Sequence, residues 1–441
     1  MNANLKKFLY YFLPVLLIVI SLVSIVNRCI WLDEVYSMKL VKHPFWELIQ
    51  LDARDVHPPL YYIVLRCGFL SLGKFIDPLY VGKFVSLIPY IILVIIGFTH
   101  IKKVYGTKIS FLFNILVMGM PKMLLYSTEI RMYSLGMLFV TCAFLQIHSI
   151  IDNEKANVKN YVLLALFSTL ASYTHYFSCA SAIVIYAEIF ILWLIRKNVK
   201  EIGKLIASGI LVVILYIPWL SVFFKQATKV SDDYWIGPVS LSSIKGDIGF
   251  LFRANNIALR IIICIIFVIG IVGIHKCEKK NRENALCGIG VWAGTLALGI
   301  ILSIIIRPVF VSRYVMGAAA CMWLGIAIGI SQIDLKKYKR FELAVPAIVT
   351  VICMLNSTDY LCREMREKRN LEVCLSEIDQ YTGKDRIILS DYLHLNGVFS
   401  YYHPEANNVL YEESLSELAK DIYSDCRLTQ IEDLSEVHNY P

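Results

Sequence analysis

Charge is scarce in this chain of 441 residues: 18% of them are Asp, Glu, Lys or Arg, against roughly 25% in soluble domains. With 57% hydrophobic residues and a mean hydropathy of +0.60, a soluble globular protein is excluded and a multi-spanning membrane protein is implied. The twelve cysteines contain no Cys-x-x-Cys pair and no metal-ligand spacing. Cys142, Cys179, Cys264 and Cys321 fall inside apolar runs and read as small core residues. No polar segment interleaves basic and aromatic residues as nucleic-acid binding requires. The net charge of +8 therefore reports on topology, because the Lys and Arg residues gather in short loops. No sequence repeat of the kind that builds inverted-repeat transporters is present, and no small-residue cleavage site follows the first apolar run. Residues 8–26, preceded by Lys6-Lys7, read as a retained first helix.

What is present is a series of apolar runs near residues 8–26, 80–101, 109–126, 132–151, 161–174, 178–195, 203–224, 257–275, 285–306, 314–332 and 341–357. Each can form a helix approaching the length that crosses a hydrocarbon core of about 30 Å. The expected fold is an all-α polytopic membrane protein of about 11 transmembrane helices. With the N-terminus in the cytoplasm, alternate loops hold Lys102, Lys103 and Lys108; Lys155 and Lys159; and Arg196, Lys197, Lys200 and Lys204. The later cytoplasmic loops hold Lys276, Lys279, Lys280 and Arg282, then Lys336, Lys337, Lys339 and Arg340. That asymmetry is the positive-inside pattern. Reading residues 58–72 as a further span would turn these loops outward, so residues 27–79 read as one external loop with juxtamembrane helices, the second carrying Arg66.

Residues 1–357 read as the transmembrane domain and residues 358–441 as a small extracytoplasmic domain. Residues 370–441 carry fourteen Asp and Glu against four Lys and Arg. Arg386–Ser390 and Asn408–Tyr411 predict short strands and residues 412–424 a helix, hence an α/β unit.

Under this topology the unusual polar residues fall on one face. Asp33 and Glu34 open the first external loop, and Asp55 and His57 precede Pro58-Pro59. The turn from Tyr126 to Tyr133 places Glu129 and Arg131 at the mouth of two apolar helices, where charge needs a partner or a role. An internal ion pair and a site role are both open for these two. His175 and Tyr176 cap the next external turn. Pro218-Trp219 precede a loop with Asp232, Asp233, Tyr234 and Trp235, whose aromatics suit an interfacial belt. Arg307 and Arg313-Tyr314 flank a short turn on the cation-poor side, which points to an anionic partner such as phosphate. These parts suit transfer of a sugar from a lipid phosphate: a carboxylate takes the acceptor's proton, and cations stabilise the departing phosphate.

The ordered set Asp33-Glu34, His57-Pro58-Pro59-Leu60-Tyr61-Tyr62, Tyr126-Ser127-Thr128-Glu129-Ile130-Arg131-Met132-Tyr133 and Arg313-Tyr314 resembles bacterial family 39 glycosyltransferases. These are GT-C membrane enzymes related to protein O-mannosyltransferases and the lipid A aminoarabinose transferase. The resemblance implies an inverting transferase using a polyprenyl-phosphate-linked sugar at the outer face of the cell membrane, with a lipid, protein or glycan acceptor. It makes Asp33 the catalytic carboxylate, with Glu34 beside it. It implies that Glu129 and Arg131 shape the site and that Arg313 and Tyr314 hold the donor phosphate; within the same motifs His57, Pro58, Tyr61 and Tyr133 are further substrate-binding candidates, to which the topology adds His175 and Arg307. His57 stands where the aminoarabinose transferase has a lysine, and histidine is a weaker phosphate partner. Metal dependence varies in this class. A divalent ion on Asp33 and Glu34 is the one cofactor in view, with no nucleotide or redox cofactor expected. A sugar-lipid transporter or flippase, and a polysaccharide polymerase or ligase, share the membrane body. Transporters place coupling charges near the bilayer midplane, whereas these gather at one face.

Overall fold

The computed structural model describes residues 3–27, 29–151, 157–229, 236–333, 344–380, 387–404, 406–411, 417–426 and 428–439. Lys155, Asp232, Asp233, Tyr234, Trp235 and the basic residues of 336–340 lie outside the described residues.

The chain opens with α1 (Ala3–Asn27), α2 (Leu32–Leu40), α3 (Phe45–Arg54), α4 (Leu60–Leu72) and α5 (Pro78–Ile96). A π turn leads into α6 (Lys102–Tyr105), followed by α7 (Thr107–Gly119), α8 (Met123–Thr128), α9 (Tyr133–Ile151), α10 (Val158–Thr174) and α11 (Tyr176–Ile195). Next come α12 (Val199–Lys229), α13 (Leu241–Gly249), α14 (Ile257–Ile274), α15 (Lys279–Ile305), α16 (Met316–Ser331) and α17 (Ala344–Asp379). The chain ends with β1 (Ile387–Ser390), α18 (Leu393–Tyr402), β2 (Asn407–Tyr411), α19 (Glu417–Ile422) and β3 (Leu428–Ile431).

Among the described residues, nine helices are long and apolar enough to cross a membrane: α1, α5 with its extension to Tyr105, α9, α11, α12, α14, α15, α16 with the turn before it, and α17. Two of the expected spans are shorter helices, α7 at 13 residues and α10 at 17. The doubtful segment at 58–72 is α4, whose 13 residues rise about 20 Å, short of the roughly 30 Å a span needs.

The chain forms two compact units. Unit 1 comprises Met1–Leu22, Ser86–Thr128 and Met132–Tyr360; unit 2 comprises Val23–Val85, Glu129–Arg131 and Leu361–Pro441. Unit 1 is built around α16, 94% of whose spanning window is buried, whereas α12 buries 17% of its own. Small residues explain that position, since apolar helices gain nothing from leaving apolar lipid and associate where their backbones approach closely. A Cβ on Gly329 would stand 2.0 Å from the Gly270 carbonyl oxygen of α14, and one on Gly325 would stand 2.5 Å from that of Ala285 in α15. The peripheral helices instead present Ile210, Val213, Ile261 and Ile265 outward, as a lipid-facing surface does.

In unit 2 the three strands form a parallel sheet in the order β1-β2-β3. Parallel pairing requires crossover connections, and α18 and α19 lie in them. The sheet core is Val409 and Leu410, with Ile422, Tyr423 and Ile431 against it. The strands at 387–390 and 407–411 match the sequence expectation to within a residue; β3 was not foreseen. α18 packs on α2 so closely that a Cβ on Gly397 would stand 2.7 Å from Val35 Cγ1 and 2.6 Å from Tyr423 Cε1. Around this contact Asp425 accepts from Lys39 at 2.8 Å and from Lys42 at 2.6 Å, and Asp421 accepts from Arg54 at 2.7 Å. The acidity of the C-terminal segment is thus matched by Lys39, Lys42 and Arg54 of α2, α3 and the turn between them.

Candidate active site

The site in unit 2 is organised by the first turn of α2. Glu34 is the third residue of that helix, and its Oε2 accepts the Trp31 backbone N–H at 2.8 Å, the carboxylate half of a capping box. The same carboxylate, fully buried, accepts from Lys83 Nζ of α5 at 3.3 Å on both oxygens. Its Oε1 also accepts the Ile130 backbone N–H at 3.0 Å. Lys83, likewise buried, donates to the Cys29 carbonyl at 3.3 Å. Glu34 thereby links α2, α5 and the 129–131 turn. The approach is tight: a Cβ on Gly82 would stand 2.8 Å from Ile130 Cδ1.

The turn fixed in this way delivers Arg131, buried to 5% exposure. Its guanidinium donates to Ser37 Oγ and Tyr62 Oη, both at 3.4 Å, and to His57 Nε2 at 2.8 Å. Arginine can only donate, so Nε2 of His57 is an acceptor and the imidazole is neutral in this geometry. Ser37 in turn donates to the Asp33 carbonyl at 3.0 Å. His57 sits on the turn before Pro58 and Pro59, both buried, and Pro59 caps α4. Tyr61 and Tyr62 follow, buried edge to face at 5.8 Å. Glu129 is buried on the same turn as Arg131, its backbone carbonyl accepting the Arg131 N–H at 2.7 Å.

Asp33 is half-buried on the same turn as Glu34. Around it the electrostatics are unusual. Burial, reinforced by Asp55, pushes the Asp52 carboxyl well above the usual carboxylate range, with Arg131 opposing. Burial also raises Asp55, against Tyr36 and Arg131. The Tyr36 and Tyr62 hydroxyls are likewise held well above their ordinary range by burial. Strong perturbation clustered around one buried cation is characteristic of functional sites.

Unit 1 has its own polar and aromatic centre. His175 lies between α10 and α11 and caps α11, its Nδ1 accepting the Phe177 N–H at 3.1 Å. Its ring lies 5.8 Å from Tyr133 and 4.7 Å from Tyr314. Tyr314 stacks on Phe177 at 5.0 Å, and Tyr133 meets Tyr126 edge to face at 5.1 Å. Arg313 is part-buried on the turn preceding α16, where Ser312 donates to Asp247 at 2.5 Å. The Arg307 guanidinium donates to the Ala227 carbonyl.

The structure thus gathers Asp33, Glu34, His57, Pro58, Tyr61, Glu129 and Arg131 in unit 2, and Tyr133, His175, Arg307, Arg313 and Tyr314 in unit 1. Sequence reading missed Lys83, although a lone lysine in an apolar run was a usable signal. It also missed Ser37, Tyr36 and Asp52. For a divalent ion the donor set does not fit: among the described residues no group of three or more His, Cys, Asp or Glu side chains is gathered for one, and Glu34 is engaged by Lys83 and two backbone amides.

No family profile matches the sequence, and no curated protein matches it. In structure the chain is similar to ArnT from Cupriavidus metallidurans in the apo state, with a TM-score of 0.67 and 10% identity over 99% of this chain and 91% of that one. It is similar to the same protein bound to undecaprenyl phosphate, with a TM-score of 0.64, 10% identity and the same coverage. The oligosaccharyltransferase of Archaeoglobus fulgidus, in complex with Zn and sulfate, is far more distant: a TM-score of 0.37 and 12% identity over 77% of this chain and 52% of that one. Over almost its whole length, then, the chain has the fold of ArnT: membrane helices with a small C-terminal α/β segment.

Proposed function

We propose that this protein is an integral-membrane glycosyltransferase that moves a sugar from a polyprenyl-phosphate-linked donor to an extracytoplasmic acceptor. The observation that carries the reading is the first turn of α2, where the Ser37 hydroxyl links the Asp33 backbone to a buried Arg131, on a turn held by Glu34 and Lys83. The ArnT fold supports it, as does the binding of undecaprenyl phosphate by that relative in structure.

In the reaction we assign, Asp33 takes the proton of the acceptor hydroxyl as its oxygen attacks the anomeric carbon. The new C–O bond forms on the face opposite the leaving group, the bond from the anomeric carbon to the phosphate oxygen breaks, and polyprenyl phosphate departs with the electron pair. The configuration at the anomeric carbon is inverted. Arg313 and Tyr314 are assigned to the donor phosphate, where cationic and hydroxyl donors stabilise the leaving charge. His57, Tyr61, Glu129, Tyr133, His175 and Arg307 are assigned to the substrates. Glu34 positions: its carboxylate holds α2 to Lys83 and to the Ile130 amide, which leaves the base role to Asp33. The N-terminus is assigned to the cytoplasm and the segment from 358 onward to the outside, in keeping with the positive-inside pattern.

The test is sugar release by the purified protein from a panel of synthetic polyprenyl-phosphate monosaccharides, with Asp33→Asn as the comparison. Release by the wild type and its loss in the variant are expected; no release from any donor would refute the reading.

A further inference from the structure

In unit 1 the N-terminal ends of α10 and α12 share a polar network that the proposed reaction does not use. Glu201, 1% exposed near the start of α12, accepts from the Tyr161 hydroxyl of α10 at 2.9 Å and from Lys204 at 2.7 Å. Ser208, one turn beyond Lys204, donates to the Tyr161 carbonyl at 2.8 Å, and its hydroxyl meets that of Tyr186 of α11 at 2.6 Å. The Lys204 ammonium lies 6.0 Å from the centre of the Tyr161 ring. A buried carboxylate persists only where its partners are well placed, so Glu201 and Tyr161 together fix Lys204 at this end of α12.

Beside the network is a cleft of about 210 Å³ between the two helices, whose walls include Val158, Tyr161, Val162, Lys204, Ser208 and Leu211. Its accessible wall is almost wholly apolar. Val158 and Val162 are exposed on α10, as are Ile206 and Ile210 on α12, so the cleft opens on an apolar surface. The exposed Lys159 and Lys200 stand in the first turns of the same two helices, Lys200 one turn before Lys204. The 31 residues of α12 rise about 46 Å, more than the roughly 30 Å of a hydrocarbon core, which brings its lysine-bearing end to headgroup depth.

We propose that this cleft binds an acidic phospholipid: an acyl chain lies along Val158, Val162 and Leu211, and the phosphate meets Lys204, with Lys159 and Lys200 adding to the attraction. Charge complementarity selects the occupant. Three lysines face one carboxylate at the mouth of an apolar cleft, and basic pockets between membrane helices bind anionic headgroups. Lysine acts on phosphate as a point charge, and Lys204 is already held by Glu201, so less side-chain freedom is lost on binding. Under the topology assigned above, the lipid belongs to the cytoplasmic leaflet. It braces α10 against α12, a helix that buries 17% of its spanning window within the protein.

The test is native mass spectrometry of the full-length protein, released from detergent containing equal amounts of phosphatidylglycerol and phosphatidylcholine with the same chains. Retention of one phosphatidylglycerol per chain in preference to phosphatidylcholine is expected. Lys204→Gln should weaken that retention about fivefold, the effect of one cation near an anionic lipid. Val162→Trp fills the cleft from an exposed position and leaves the pair of Glu201 and Lys204 intact; it should abolish retention with the lipid-free unfolding temperature unchanged. Added phosphatidylglycerol should raise the unfolding temperature of the wild type and not that of Val162→Trp. Lys225→Gln, towards the opposite end of α12, should retain the lipid as the wild type does, which separates a local site from general attraction of a basic chain to acidic lipid. Equal retention of both lipids by the wild type, equal weakening by Lys225→Gln, or a dimer that excludes lipid from the cleft would overturn the proposal.

Discussion

In unit 1 the central helix α16 meets α14 and α15 through glycines, with Gly325 and Gly329 each set against a backbone carbonyl. In unit 2 the short helix α2 is tied to its neighbours through charged side chains: Glu34 on Lys83, Lys39 on Asp425 and Ser37 on Arg131. The difference follows from the surroundings. Helices in an apolar solvent gain specificity from close backbone approach, while polar segments gain it from directed hydrogen bonds and ion pairs. A buried charge pair adds little net stability but makes loss of either partner severe. Unit 2 is therefore the part whose geometry is sensitive to single charges, and it is also where the base is assigned.

The contrast can be broken most strongly at Glu34. Replacing Glu34 by Ala, or Lys83 by Met, leaves the other charge buried without its partner and should destabilise the protein by about 3–5 kcal/mol. The double variant Glu34→Met, Lys83→Met should recover most of that loss. Thermal unfolding in detergent reads all three, and single variants as stable as the wild type would show that this pair organises nothing. A smaller effect is expected in unit 1. Gly329→Ala places a methyl where the Gly270 carbonyl oxygen now stands at 2.0 Å, and overpacking of this kind costs about 1–3 kcal/mol. An unchanged melting temperature would mean that α14 and α16 can separate freely. Smallest is Asp425→Asn, because that carboxylate is 41% exposed and exposed pairs contribute at most about 1 kcal/mol. The loss should shrink further in high salt; a salt-independent loss would point to a role other than pairing with Lys39 and Lys42.

Much of this was legible in the sequence, and what was not has physical reasons. Hydropathy alone located the nine long helices, since a bilayer imposes length and apolarity on each span. It could not see that Pro121 divides 109–126 into α7 and α8, and it could not fix the ends of α10, whose 17 residues are at the short end of spanning length. It could not find β3, a four-residue strand without an apolar alternation. In the site, the Asp33-Glu34 doublet and Arg131 stood out because charge at the end of an apolar run is costly. The partners of Glu34 did not, because they are Lys83, 49 residues away, and the Ile130 amide, 96 residues away.

Asp33 is proposed as the base of a sugar transfer, and the most direct test is the kcat of sugar release from a polyprenyl-phosphate monosaccharide by Asp33→Asn against the wild type. A fall of roughly 100-fold or more, with the unfolding temperature and the binding of undecaprenyl phosphate unchanged, is the predicted result. Release by Asp33→Asn at the wild-type rate would contradict the claim and move the search for a base to Asp52 and Asp55.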